Sequence, residues 1–292
     1  MSDARPVARL APAKINLTLR ITGRRAAGLP HAGYHELDSI VVFAAVGDQL
    51  GFRHAPELSL RLSGPFGKAL EDEPDNLVLR AARLLAAASG SPEAATIMLD
   101  KRLPIASGIG GGSADAAAAL LGLAALWDLQ GYDLAQFADK LGADVPVCLA
   151  GRPCRVTGIG EVLTPLPKLP PTTLLLANPG VPSPTAPVFA ARRGAFSDAF
   201  VPTDRHFADA QSLAALVREG GNDLAEPAIS LVPAIADVLE ALRSFNPLAA
   251  AMSGSGATCF ALFADPDEAE AAAQRLRQQQ PGWWIAAAPL LD

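Results

Sequence analysis

Three places in this 292-residue chain hold residue types that could do chemistry. The first is Ala106-Ser107-Gly108-Ile109-Gly110-Gly111-Gly112-Ser113, where four glycines run without a break into an Ala/Leu stretch, residues 114–126. Glycine has no Cβ, so its backbone turns sharply and lets a bulky anion approach the N–H groups. A helix starting there aims unpaired N–H groups and its positive dipole end at the same point. That is the chemistry of a phosphate site. The second place is Lys14 and Asn16, two polar side chains on one face of an alternating stretch. The third is Asp144, an acid between small residues just ahead of Pro146 and an apolar Val-Cys-Leu run.

Each has a plainer reading. The glycines could be a mere connection, although four of them ending in Ser at a helix start favour phosphate. Lys14 and Asn16 could be a solvated strand face, and Asp144 could cap the next helical turn. Two familiar phosphate loops do not fit. A dinucleotide fingerprint counted from Gly108 meets Ser113 where its third glycine belongs, with Lys101-Arg102-Leu103-Pro104 between strand and loop, and no P-loop lysine follows these glycines.

The elements that must position these residues can be read in order. Residues 7–22 alternate as a half-buried strand, with Pro12 as its start or a break. Residues 23–33 are a loop, followed by a strand at 40–46 ended by Gly47-Asp48 and a strand pair at 49–53 and 58–62. Asp75-Asn76 caps a helix over 77–88. A strand at 95–99 precedes the glycine loop and its amphipathic helix, and a helix at 132–141 precedes Asp144. Residues 155–162 read as a strand and the Pro-rich 163–171 as a linker. That linker divides the chain into 1–163 and 172–292. The second part opens on a buried strand at 173–177 and a helix entered at Pro184, followed by a mobile loop at 194–207. Helices at 208–218, 224–231 and 233–244 lead to a strand at 248–252, the turn 253–256 and a strand at 258–264. A helix at 266–279 and a strand at 283–288 close the chain. Antiparallel-type strands with segregated helices make the class α+β.

Composition narrows the field. A net charge of −6 argues against a general nucleic-acid binder. The apolar fraction of 50% suffices for sizeable cores. No run has the length and apolarity of a membrane span apart from the amphipathic stretch after Gly112, and no leader pattern opens the chain, so a cytoplasmic protein is expected. Cys148, Cys154 and Cys259 are too scattered for a metal motif and read as buried thiols.

Three separated segments then point one way. Pro12-Ala13-Lys14-Ile15-Asn16-Leu17, the loop 103–117 and Ser253-Gly254-Ser255-Gly256-Ala257 resemble the three motifs of the GHMP kinases. Thr22-Gly23-Arg24-Arg25, Gly33-Tyr34-His35-Glu36-Leu37 and Gly142-Ala143-Asp144-Val145-Pro146 bring the resemblance closer to one branch. That branch phosphorylates the cytidyl-diphospho-methylerythritol alcohol of the non-mevalonate isoprenoid route. The resemblance covers essentially the whole chain. It implies an N-terminal domain like ribosomal protein S5 and a C-terminal ferredoxin-like α/β sandwich. It also implies ATP with Mg2+, a small-molecule substrate bearing a cytidine diphosphate group, no nucleic acid or membrane partner, and a monomer or homodimer.

Carried over residue by residue, the resemblance implies that Asp144 is the base and Lys14 its cationic partner. Pro104, Ile105, Ala106, Ser107, Gly108, Ile109, Gly110, Gly111, Gly112 and Ser113 would hold ATP. Asn16, Thr185, Gly254, Ser255 and Gly256 would contact the substrate. Tyr34 and Phe189 would stack on the cytosine and His35 would bond its edge, with a plain core aromatic as the other reading of Phe189. No residue is assigned to a metal. Two departures stand out: Ala106-Ser107 where the family loop is often all glycine, and extra residues, including His31, between Arg25 and Gly33. Another GHMP kinase, of homoserine or mevalonate type, or a GHMP-fold binding protein without turnover, are the alternatives.

Overall fold

Alternation from Lys14 onward puts Ile15, Leu17, Leu19 and Ile21 at 5% exposure or less, and it extends into a strand longer than the alternating core requires. The structure, a computed structural model, describes residues 7–73, 75–200 and 207–292. The first elements are β1 (Val7–Arg24), β2 (His35–His54), β3 (Ser59–Ser63), α1 (Leu77–Ser89), β4 (Ala95–Asp100) and α2 (Gly111–Leu126). Then come α3 (Ala135–Leu141), α4 (Val145–Ala150), β5 (Cys154–Gly158), β6 (Val162–Pro165), β7 (Thr173–Asn178), α5 (Thr185–Ala191) and α6 (Ala210–Gly220). The last are α7 (Ala225–Leu231), α8 (Ala234–Arg243), β8 (Ala249–Met252), β9 (Cys259–Phe263), α9 (Pro266–Gln279) and β10 (Trp284–Leu291). The class is α+β.

Packing gathers these elements into two units, neither continuous in sequence. One comprises Gly47–Ile105 and Gly110–Gly151 with the N-terminal segment through Ala13; the other comprises Lys14–Val46, Ala106–Ile109 and Arg152–Asp292. In the first, β4 pairs parallel with β3 and antiparallel with residues 49–54 of β2. In the second, β8, β9, β7 and β10 form an antiparallel run, while residues 37–41 of β2 pair with β5 and β5 with β6. Its core joins Leu175, Val238, Phe263 and Leu276 with Leu19 and Ile21. The Pro-rich stretch 163–171 does not separate units: its flanking strands lie in the same one, and Leu169 is buried.

Several expectations need correction. β1 runs through Pro12 without a break, and β2 is one strand of 20 residues rather than two ended at Gly47-Asp48. Asp48, a residue that should end a strand, is buried and fully paired there (below). The expected strand 155–162 is a hairpin, because Gly158 turns left-handed at φ 72°. The helix expected at 132–141 starts at Ala135, where Asp133 Oδ1 accepts from Ala135 N at 3.0 Å. α2 is not amphipathic: residues 114–120, 122, 123 and 126 are all buried. Its small side chains allow close approach; a Cβ on Gly122 would stand 2.1 Å from the Phe52 ring.

Of the loop 194–207, residues 201–206 lie outside the described ones. The preceding part has no regular structure but is held rather than loose. Ser197 N donates to Ile21 O at 2.9 Å and Phe200 N to Asp38 Oδ2 at 2.8 Å, and the Arg20 guanidinium covers the Phe200 ring. The three thiols are buried, and burial raises Cys154 to about 11. Among the described residues no helix is long and apolar enough to cross a membrane.

Candidate active site

In the second unit the middle of the glycine loop is built into the turn after β8. Ser253 Oγ donates to Gly108 O at 3.0 Å and accepts from Asn16 N at 3.1 Å. Thr258 N donates to Ser107 O at 3.0 Å, and Ser183 N to Ala106 O at 3.2 Å. This is backbone against backbone, and it explains two glycines. A Cβ on Gly108, at φ 76°, would stand 2.5 Å from Gly256 O; one on Gly254, at φ 56°, would stand 2.8 Å from Gly108 O. Asn222 Nδ2 fixes the turn from the other side, donating to Met252 O and Gly254 O.

Lys14 and Asn16 are not a solvated strand face. Both are buried, at 4% and 5% exposure. Lys14 Nζ donates to Asn16 Oδ1 at 3.0 Å, and Asn16 Nδ2 donates to Ser39 Oγ at 2.7 Å. Ser39 Oγ in turn donates to Thr18 O. The Lys14 ammonium and the Asn16 amide are thus held in fixed orientation by a chain of buried hydrogen bonds. Lys14 N also donates to Ile109 O at 3.0 Å, so the strand carrying the lysine is tied to the glycine loop. Thr185 Oγ1 meets Ser255 Oγ at 3.0 Å, and Ser183 Oγ donates to Ser255 O at 2.7 Å. The expected substrate residues Asn16, Thr185, Gly254, Ser255 and Gly256 thus belong to one connected network.

The expected cytosine readers lie in the same unit. The rings of His35 and Phe189 are 5.2 Å apart and tilted by 37°. Phe189 is half-buried and packs against the hydrophobic core of this unit, so its core role and an outward ring face are both present. Tyr34 is 61% exposed and meets His31 edge-on at 5.4 Å, so the inserted residues touch this edge. Burial lowers the His35 pKa below the ordinary histidine value, and the charges of Arg24 and Arg192 push the same way. A neutral imidazole with one donor and one acceptor follows.

The first unit holds Pro104, Ile105, Gly110, Gly111, Gly112, Ser113 and Asp144. α2 begins after Gly110, at φ 64°, with no capping side chain and no acid in its first turn. Its leading N–H groups and dipole therefore suit an anion. Asp144 occupies the N-cap position of α4, with no capping hydrogen bond from its side chain. Beneath the start of α2, Lys101 Nζ is paired with Asp48 and, at 2.7 Å, with Asp115 Oδ2. Lys14 and Asp144 fall in different units.

Sequence reasoning missed Ser253, Ser39, Ser183 and Asn222. Ser253 opened a recognised turn and could have been included; the other three carry no local signal, because their partners lie far along the chain.

The residues matched by family descriptions fall on both sides of 163–171. "GHMP kinases N terminal domain" matches 76–152 and "GHMP kinases C terminal" matches 205–282. The chain is 52% identical over 285 residues to a 4-diphosphocytidyl-2-C-methyl-D-erythritol kinase of Paramagnetospirillum magneticum, covering 97% of this chain and 98% of that one. It is 51% identical over 280 residues to the protein of the same name from Paracoccus denitrificans, covering 96% and 95%. A crystal structure of 4-(cytidine 5'-diphospho)-2C-methyl-D-erythritol kinase superposes with a TM-score of 0.80 at 37% identity, over 98% of this chain and 99% of the other. Homoserine kinase from Cytophaga hutchinsonii shares the fold, with a TM-score of 0.65 at 18% identity over 100% and 99%.

Proposed function

The chain belongs to the GHMP kinases, in the family of 4-diphosphocytidyl-2-C-methyl-D-erythritol kinases, and from that premise we propose how its own residues carry the transfer. The reaction is ATP-dependent phosphorylation of the 2-hydroxyl of 4-diphosphocytidyl-2-C-methyl-D-erythritol. The γ-phosphorus loses its bond to the β–γ bridging oxygen as it gains one to the hydroxyl oxygen. The hydroxyl proton passes to the Asp144 carboxylate, and ADP leaves.

Catalysis of this kind is mostly positioning and charge stabilisation. The backbone of 106–113 and the head of α2 receive the phosphates of ATP. Asp144 orients the attacking hydroxyl and takes its proton. Lys14, held by Asn16, steadies the base and the migrating charge. Tyr34 and Phe189 sandwich the cytosine, with His35 at its edge. Mg2+ neutralises phosphate charge when it is bound with the nucleotide. A cation carried on phosphate oxygens would need few protein groups. The reading includes a cytoplasmic location, a monomer or homodimer, and family segments at 1–163 and 172–292.

The observation that carries this assignment is the single network joining Lys14, Asn16, Ser253 and Gly108. The test is phosphate transfer from ATP to the cytidyl substrate, with homoserine and mevalonate as controls. Asp144→Asn should keep nucleotide binding and lower turnover by about 10²–10⁴-fold, the usual worth of a general base. Near wild-type turnover in that variant would remove Asp144 from the mechanism. Tyr34→Ala should raise the KM for the cytidyl substrate and leave that for ATP unchanged.

A further inference from the structure

Lys101, Asp48 and Asp115 form a buried cluster with no part in the transfer as derived above. Their side chains are 3%, 0% and 3% exposed. The cluster joins three places. Asp48, in β2, accepts at Oδ1 from Arg102 N at 2.5 Å and Leu103 N at 2.8 Å, and at Oδ2 from Lys101. Lys101 directly follows β4 and bonds Asp115 in the opening turns of α2. Its ammonium sits directly under the first residue of that helix: a Cβ on Gly111 would lie 3.1 Å from Lys101 Nζ. The two chain ends that launch and receive the glycine loop are therefore fastened to one ammonium.

Two carboxylates face one cation here, an imbalance that a purely structural ion pair does not need. Asp115 Oδ1 has no hydrogen-bond partner among the described residues. Asp48 is fully used: strip away Asp115 and a matched Lys101–Asp48 pair remains, still bonded to the backbone of 102 and 103. What Asp115 adds is a tie between that pair and α2.

Taking the phosphate-site reading of α2 as given, we propose that Asp115, acting through Lys101, is a positioning residue for the nucleotide: it sets the first turn of α2 against the middle of β2 and the residue after β4, and with it the aim of the N–H groups that receive phosphate. Asp115 touches no phosphate itself, being buried behind the turn it holds.

The test uses the full chain with Asp115→Ala and Asp115→Asn. It titrates each with a non-hydrolysable ATP analogue plus Mg2+ and measures KM for both substrates. Asp115→Ala should weaken analogue binding about tenfold and raise the KM for ATP to match, with the KM for the cytidyl substrate within about twofold of wild type. Asp115→Asn should restore nucleotide binding to within about twofold, because its amide oxygen still accepts from Lys101. Should the alanine chain fail to fold, Asp115→Ser, whose hydroxyl is too short to reach Nζ, takes its place under the same expectation. Wild-type nucleotide binding in the alanine or serine chain overturns the proposal. So does equal weakening of both ligands, or an asparagine variant no better than alanine. The titration needs no turnover, so a wild-type chain that binds the analogue but transfers nothing would refute the kinase reading alone.

Discussion

The loop between β4 and α2 is anchored by two kinds of chemistry. At its ends the anchorage is charged: Lys101 stands between Asp48 and Asp115, out of contact with water. In its middle the anchorage is neutral, made of carbonyls, amides and the Ser253 hydroxyl. The neutral anchorage depends on shape, since carbonyl oxygens fill the space that a Cβ at Gly108 would need. The charged one depends on balance. Coulomb attraction and the desolvation of each ion are both large and nearly cancel, so removing one member leaves an uncompensated charge. The same segment is thus vulnerable to charge changes at its ends and to volume changes at its centre.

Lys101→Met should break the charged side with the largest effect. Two buried carboxylates lose their cation, and the usual cost of breaking such a pair is about 3–5 kcal/mol. Denaturant unfolding would read it; a loss below about 1 kcal/mol would show that the cluster is not buried in solution.

On the neutral side, Ser253→Ala strips a partner from Asn16 N and from Gly108 O. Leaving a buried polar group unpaired costs about 1–3 kcal/mol. The loss should be independent of pH between 5 and 9, which is the contrast with the charged side, and unfolding at several pH values would expose any slope.

That contrast sharpens at Asp115. Burial, against the pull of Lys101 and with the Asp48 charge adding, raises its pKa from 3.8 to about 7. A raised carboxyl favours the fold in its protonated form. Its contribution is complete below the unfolded pKa and is lost as pH rises through about 7. Asp115→Asn cannot lose a proton, so its stability relative to wild type should climb from pH 4 to pH 8. A flat difference would mean that the carboxyl stays ionised throughout.

The smallest expected effect is Ala106→Gly. Ala106 sits at φ 51°, a left-handed conformation that costs an L-residue roughly 1–2 kcal/mol. Glycine relieves that strain but brings back about 0.5–1 kcal/mol of chain entropy. A thermal midpoint equal to or slightly above wild type is expected, with unchanged ATP affinity.

What was legible in the sequence was local. The Ala/Leu run after Gly112, the cap at Asn76 and the turn at 253–256 each follow from neighbouring residues, and each is where it was expected. The misreadings share one cause, which is a distant partner overriding a local signal. Asp48 reads as a strand end until Lys101 and two amides, more than fifty residues on, are seen to satisfy it. For Lys14 and Asn16 the local pattern leaves a solvated face as one of two readings, and their burial with the Asn16–Ser39 hydrogen bond excludes it. At 163–171 the strands on either side belong to one packed unit, while the matched family segments, 76–152 and 205–282, fall on either side of the stretch.

The network around Asn16 also fixes an order of events during synthesis. Asn16 and Ser253 are 237 residues apart, and Ser253 and Gly108 are 145 apart. Closing such long chain segments is slow compared with forming local helices and hairpins. While the ribosome still holds the turn 253–256, the amide of Asn16 and the carbonyl of Gly108 have no Ser253 to meet. The elements of 47–105 and 110–151 can gather early, but the contacts of Ser253 with Asn16 and Gly108 wait for almost the whole chain. A nascent polypeptide cut short before that turn can have much of its secondary structure and none of these contacts, so on the reading proposed above its activity arrives late.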